Sequence, residues 1–252
     1  MSKRTVLRLS GADTLKFLND LVTNDLSGMR GGMVYAALLT PQGKYLFDFF
    51  LHLDGDDVLM DVVSSRASAL KQRLTMYKLR ADVAIVDSGL HVHRGLGKLP
   101  EAAFADPRHE ALGWRMYVDK AQLVDSVDWD AIRVQHCIPE AETELIADQS
   151  YILESGFERL NGVDFRKGCY VGQEVTARMK HKTQLRKGLQ SVAVLGSTCV
   201  GTEIFADGKV VGELYTQAAG RGIAYLRFDR AQGEMTAGSA VVKLLSGSNV
   251  AN

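Results

Sequence analysis

The alternation of apolar and polar positions divides the chain into segments of different kinds. Val6-Leu7-Arg8-Leu9 alternates as a short strand does. Ser10-Gly11-Ala12-Asp13 then supply cap chemistry, and Leu15, Phe17, Leu18, Leu21 and Val22 follow at helical spacing, which predicts a core helix with Leu15, Phe17 and Leu18 inside. The helix ends in Asn19, Asp20, Thr23, Asn24 and Asp25, and a polar helix end facing a cavity gives Thr23 and Asn24 a use beyond packing. Met33–Leu39 is an apolar strand stopped by Thr40-Pro41-Gln42-Gly43, where Pro fixes φ and Gly supplies positive φ. Lys44–Leu53 returns as a long strand, Asp54-Gly55-Asp56-Asp57 is a hairpin turn, and Val58–Val63 is the next strand. Ser64-Ser65 can cap a helix with Ala69, Leu70, Leu74 and Tyr77 at helical spacing, and Ala81–Val86 reads as a further strand. Strand, strand, helix, strand over about 33–87 predicts a ferredoxin-like antiparallel sheet with a helix on one face.

Beyond this region the pattern weakens. Ser88–Gly95 reads as a strand with His91 and His93 on one face, a solvated face rather than a metal site because a third ligand is missing nearby. Pro100–Pro107 is loop-like, Trp114–Val118 strand-like, and Asp128–Cys137 helical up to Ile138-Pro139, since Pro disfavours a preceding α conformation. An acidic stretch over 141–166 follows. From Thr183 onward short alternating segments recur: Gly188–Leu195, Thr202–Phe205, Val210–Tyr215 and Gly222–Arg227, with Asp207-Gly208 as a turn. Their spacing predicts a small barrel. The expected division is 1–182 and 183–252.

Composition changes the picture only locally. At 46% hydrophobic and 24% charged residues the chain is an ordinary globular one. No apolar run approaches the ~20 residues of a membrane span. Met1-Ser2-Lys3-Arg4-Thr5 leads straight into the first strand, with neither a signal peptide nor an Arg- and Ser-rich transit peptide, so a cytoplasmic location is expected. Net charge is zero but unevenly spread: 101–164 carry fourteen acids and five bases, whereas 166–187 carry seven bases against Glu174 alone. That asymmetry suggests an anionic partner for the basic segment; the plainer reading is a solvated basic turn. Nucleic acid is not the expected partner, because the chain as a whole lacks a basic footprint.

The segment before the basic run is Lys167-Gly168-Cys169-Tyr170-Val171-Gly172-Gln173-Glu174. One reading is a glycine-rich turn around a buried, inert cysteine. The other is a loop with chemistry. Gly168 and Gly172 permit positive φ and close approach of the backbone to a ligand. Lys167 favours the Cys169 thiolate, and Gln173 with Glu174 can hydrogen-bond a planar heterocycle.

Lys-Gly-Cys-Tyr-x-Gly-Gln-Glu resembles the signature of the YgfZ family, folate-binding relatives of the glycine-cleavage T-protein that support iron–sulfur cluster assembly. Weaker likenesses extend over most of the chain: Leu9-x-Gly11-x-Asp13 through Thr23-Asn24-Asp25, Pro41-x-Gly43-Lys44, Arg73-Leu74-x-x-Tyr77-x-Leu79-Arg80, Arg133 with Ile138-Pro139, and Gly212-Glu213. Cys137 stands where that pattern has Gly. The resemblance implies an α+β, T-protein-like multi-lobed fold, with the ferredoxin-like region around a central cavity and a small C-terminal β-barrel. It implies a bound tetrahydrofolate or derivative, whose polyglutamate tail suits the basic segment, and iron–sulfur client or assembly proteins as partners, with no membrane. Cys169 would be the functional thiol with Lys167 beside it. Folate contacts would fall to Gly168, Tyr170, Gly172, Gln173, Glu174, Arg178, Asp48, Asn24, Tyr77 and Arg80. Three cysteines, Cys137, Cys169 and Cys199, argue against both a disulfide framework and a four-thiolate cluster. The chain alone is therefore expected to bind no metal stably. The alternative is a folate-dependent aminomethyltransferase. T-proteins place adjacent acids on the long strand, whereas this chain has Phe47-Asp48. Asp48 and Glu174 are then its only candidate general acids or bases, and little such activity is expected.

Overall fold

The structure is a computed structural model that describes residues 3–121, 126–182 and 184–245. The chain forms two compact units. The first comprises Met1–Val127 and Phe157–Val175, and the second Asp128–Gly156 and Thr176–Asn252.

In the first unit, β1 (Arg4–Ser10), β2 (Val34–Leu39), β3 (Tyr45–Asp54), β4 (Asp57–Val63) and β5 (Ala84–Asp87) form an antiparallel sheet in the order β2-β3-β4-β1-β5. Between β1 and β2 lie α1 (Thr14–Asn19) and a 3-10 turn (Leu26–Arg30). α2 (Ser64–Lys78) leaves β4 and buries Ala67, Leu70 and Leu74, one apolar stripe at helical spacing. Arg66 of α2 lies 4.9 Å over the Phe47 ring, which places Phe47 and its alternate neighbours Phe49 and Leu51 on the apolar, helix-covered face. The opposite face carries Asp48 and Phe50 of β3. Phe50 stands between Tyr35 of β2 and Asp61 of β4, its partners in register. A second sheet, β6 (His91–Gly95), β7 (Phe104–Ala105) and β8 (Trp114–Val118), has the order β6-β8-β7. Two expectations are corrected here. Leu15 is 46% exposed rather than core, because α1 is only six residues long and presents just Thr14 and Leu18 inward. Ser64 does not cap α2 but is its first residue, and its hydroxyl meets that of Thr5 at 2.8 Å.

In the second unit, α3 (Trp129–His136) ends at Cys137, which adopts the left-handed conformation (φ 51°) that Gly would take more cheaply. Buried Arg133 donates to the Ile138 carbonyl (3.1 Å) and to Glu144 (2.6 Å), stapling the helix end to the turn that follows. α4 (Gln173–Lys182), which belongs to this unit from Thr176 onward, precedes β9 (Lys187–Leu195), β10 (Thr202–Ala206), β11 (Lys209–Ala218), β12 (Arg221–Arg227), β13 (Glu234–Ala237) and β14 (Ala240–Leu244). These close into a barrel in the order β10-β11-β12-β9-β14-β13, around Val192, Ile204, Leu214, Leu226, Met235 and Val242. Residues 183 and 246–252 of the expected barrel region lie outside the described residues.

Candidate functional site

The loop that carries Cys169 is held by three separate devices within the first unit. The first is an interlock of two glycines. Gly172 has φ +84°, and a Cβ there would sit 2.6 Å from the Thr40 carbonyl and 3.0 Å from the Gly43 Cα. Gly43 has φ +75°, and a Cβ there would sit 2.9 Å from the Val175 Cβ. The β2–β3 turn and the loop thus approach backbone to backbone, which only glycine permits. The second device is Lys167. Its side chain is buried, and Nζ donates to the carbonyls of Asn19 (2.7 Å) and Val22 (2.6 Å) at the end of α1. It also lies 5.3 Å from the Tyr170 ring, itself buried. Burial lowers the Lys167 ammonium to about 8, against the opposing pull of Asp25, Asp20 and Asp164. The third is Thr23, whose hydroxyl donates to the Gly162 carbonyl (2.7 Å) and accepts from the Ala37 amide (2.8 Å). Asn24 beside it donates to the carbonyls of Tyr35 (2.9 Å) and Asn161 (2.7 Å).

Between these anchors the loop shows its chemistry outward. Gly168 and Cys169 are exposed, Gln173 is half-buried, and Glu174 and Arg178 are exposed on α4. Gly168 does not take the positive φ expected of it, and a Cβ there would meet open space. Its place is set by exposure, not by a tight turn. The Lys167 ammonium is committed to the carbonyls of α1.

Asp48 sits on the polar face of the five-stranded sheet, 4% exposed. One oxygen accepts from the Tyr35 hydroxyl (3.0 Å) and the other from that of Tyr45 (2.6 Å). Burial, reinforced by the carboxylate, raises both phenols well above their ordinary value, so both remain donors. The carboxylate can accept about four hydrogen bonds, of which the two phenols supply two. Tyr77 is half-buried in the last turn of α2, and Arg80 is exposed just beyond it.

The sequence reading missed a buried ionic network on the same polar face. Asp61 accepts from Arg4 (2.6 Å) and from Arg115, which reaches Asp106 (3.0 Å), which in turn holds Arg108 (2.8 Å). Burial raises Asp106, but Arg108 and Arg115 outweigh it and hold the carboxyl well below the usual range. The available signal was Asp61 itself, an acid in the middle of the apolar run Val58–Val63.

A model described as the CAF17 C-terminal β-barrel domain matches residues 186–247. The mouse mitochondrial iron–sulfur cluster assembly factor IBA57 is 32% identical, over 92% of this chain and 78% of its own length. A mitochondrial IBA57 homolog of Mycosarcoma maydis is also 32% identical, but over 73% of this chain and 54% of its own, so the chain spans about half of that relative. Among solved structures, the glycine cleavage system aminomethyltransferase T of Bartonella henselae superposes with a TM-score of 0.76 at 12% identity. The match covers 98% of this chain and 84% of that one, and establishes a T-protein-like α+β fold with a closed C-terminal barrel. The cytoplasmic location expected from the sequence does not stand, because both IBA57 relatives are mitochondrial proteins.

Proposed function

The chain belongs to the IBA57 family of iron–sulfur cluster assembly factors, and from that premise we propose that it supports assembly or repair of iron–sulfur clusters on other proteins, with Cys169 as its working thiol. The observation that carries this reading is the presentation of Cys169, exposed on a loop whose flanks are pinned by Lys167 and by the Gly43–Gly172 interlock. A thiolate displayed at a fixed place can ligate one iron of a cluster in transit or exchange with a partner's thiol. The partners are iron–sulfur assembly or client proteins. Cells lacking the protein, supplied with wild type or Cys169→Ser, test it. The serine variant folds and fails to restore iron–sulfur enzyme activities. Full restoration would make the cysteine structural and overturn the reading.

The same proposal includes a reduced folate, as the YgfZ likeness of the loop implies. Its supports are the T-protein-like fold and the basic excess over 166–187, which suits an oligoglutamate tail. Calorimetry with mono- and polyglutamyl tetrahydrofolate should show binding that tightens with tail length and weakens with salt. An absence of binding to either form would remove folate while leaving the cluster role untouched. The second reading, aminomethyl transfer, is favoured by fold likeness alone. It predicts methylenetetrahydrofolate from an aminomethylated carrier protein, and we expect little or none. Phe47 and Phe49 flank Asp48, so the adjacent pair of acids on this strand is missing.

A further inference from the structure

The outside of the barrel is covered unevenly. On one side α3 packs against β9, β11 and β12, with Arg133 reaching Thr216 (3.4 Å) and the Ser191 hydroxyl donating to the Val134 carbonyl. Elsewhere the strand register lines up an apolar row. Leu195 of β9 is paired with Val241 of β14, Val241 with Thr236 of β13, Thr236 with Phe205 of β10, and Phe205 with Val210 of β11. Paired residues share one face of a sheet. Their chain neighbours Val194, Val242, Met235, Ile204 and Val211 fill the interior, so the row faces outward. Leu195 is 75% exposed, Val210 42% and Phe205 37%. Thr236 is exposed and Val241 half-buried. Across these five strands the row runs about 19 Å. Single exposed apolar residues are ordinary, whereas a contiguous row marks an interaction surface.

The charges beside the row select its partner. Glu203 of β10 and Glu213 of β11 oppose each other in register, both exposed, next to Phe205 and Val210. Like charges so placed repel, and neither acid is ion-paired among the described residues. On the other side of the row Lys243 holds Glu234 (2.9 Å). Lys209 is in register with inward-facing Ala206, and Arg221 is opposite Ala193 at the far end. We propose that the row binds an extended segment of a partner protein, one with apolar side chains and a cluster of lysine or arginine that seats at Glu203 and Glu213. A second copy of this face, an anionic lipid surface or a nucleic acid would bring more negative charge to those two acids. The row follows the curve of a closed barrel, which an extended segment can trace and a flat surface touches only in part. Closure also leaves no free strand edge, so side chains hold the segment rather than strand addition.

Fluorescence anisotropy of the whole protein with a labelled peptide of alternating leucine and threonine that ends in lysines tests the surface, beside the same peptide ending in glutamates. The lysine peptide binds saturably and more tightly than the glutamate peptide. Phe205→Ser weakens it by about tenfold or more, the scale of one buried apolar side chain, and Glu203→Lys removes the preference for lysine. Leu79→Ser, at an 86% exposed apolar position in the first unit, leaves binding unchanged. No saturable binding, equal affinity for the two peptides, a Phe205→Ser affinity equal to wild type, or an equal loss in Leu79→Ser would each overturn the surface. So would sedimentation as a dimer that Phe205→Ser dissociates, or flotation with phosphatidylserine vesicles that Phe205→Ser abolishes. If Phe205→Ser does not fold, Leu195→Ser decides: an affinity unchanged from wild type overturns the proposal, and a weaker one supports it.

Discussion

The two cores of this chain are built on opposite plans. The barrel encloses Val192, Ile204, Leu214, Leu226, Met235 and Val242, a nearly uniform apolar filling. The five-stranded sheet has such a filling on one face only, under α2. On its other face it buries Asp48, Asp61, Arg108 and Arg115 among the rings of Tyr35 and Phe50. Apolar packing of that face would have been as stable or more so, because taking ions out of water costs several kcal/mol apiece before their attraction returns any of it. A fold that needed only stability would repeat the barrel's solution. The polar face is therefore where the first unit keeps buried charge that packing alone does not require, whereas the interior of the barrel is filled by apolar side chains.

The sharpest way to break this contrast is Asp61→Ala, which strips the shared carboxylate from Arg4 and Arg115. Urea unfolding should show a loss of about 3–5 kcal/mol, as for other buried pairs left with one partner. Hydrogen exchange should place the loosening within 3–121 and spare the barrel. A loss below about 1 kcal/mol would mean that the network is solvated and the contrast false. In the barrel, Leu226→Ala should cost about 2–4 kcal/mol through its cavity, equally at pH 4 and pH 8. The polar core should not share that indifference to pH. Asp106 is held below its unfolded value, so its contribution is complete above the ordinary carboxylate range and disappears as pH falls through the folded value. Acid titration of wild type should show the loss, and Asp106→Asn, less stable at pH 7, should flatten it. Lys167→Ala should cost about 1–3 kcal/mol, because it strands two buried carbonyls. Lys167 also titrates lower when folded, at about 8 against 10.5. Over that interval the unfolded chain holds a proton that the folded one has released, so wild-type stability rises with pH and the variant's does not. The smallest effect is Cys199→Ser, an exposed barrel position, expected within about 0.5 kcal/mol.

These differences also explain what could be read from sequence. The hairpin at Asp54–Asp57, the strands around it and the first four barrel strands announce themselves because turn residues and period-two alternation are local signals, whereas β13 and β14 go unread. Asp48 and Cys169 stood out through a family likeness. The ionic network did not, because Arg4, Asp61, Asp106, Arg108 and Arg115 come from separate segments and meet only after the sheets pack. Lys167 was assigned to its near neighbour in sequence, Cys169. Its actual partners are the carbonyls of Asn19 and Val22, and spacing along the chain carries no trace of that choice.

Lys167 and Asn19 are 148 residues apart, and the segment bearing Cys169 returns to the first unit only after Asp128–Gly156 has gone to the second. A growing chain therefore makes its thiol-bearing loop last among the parts of that unit, and closing so long a span carries an entropy cost that rises with its length. A chain cut short before Phe157 lacks the cysteine altogether, and one not yet closed has nowhere to seat it. Correct display of Cys169 is thus a certificate that the first unit has closed, issued before any partner can meet the thiol in its proper place.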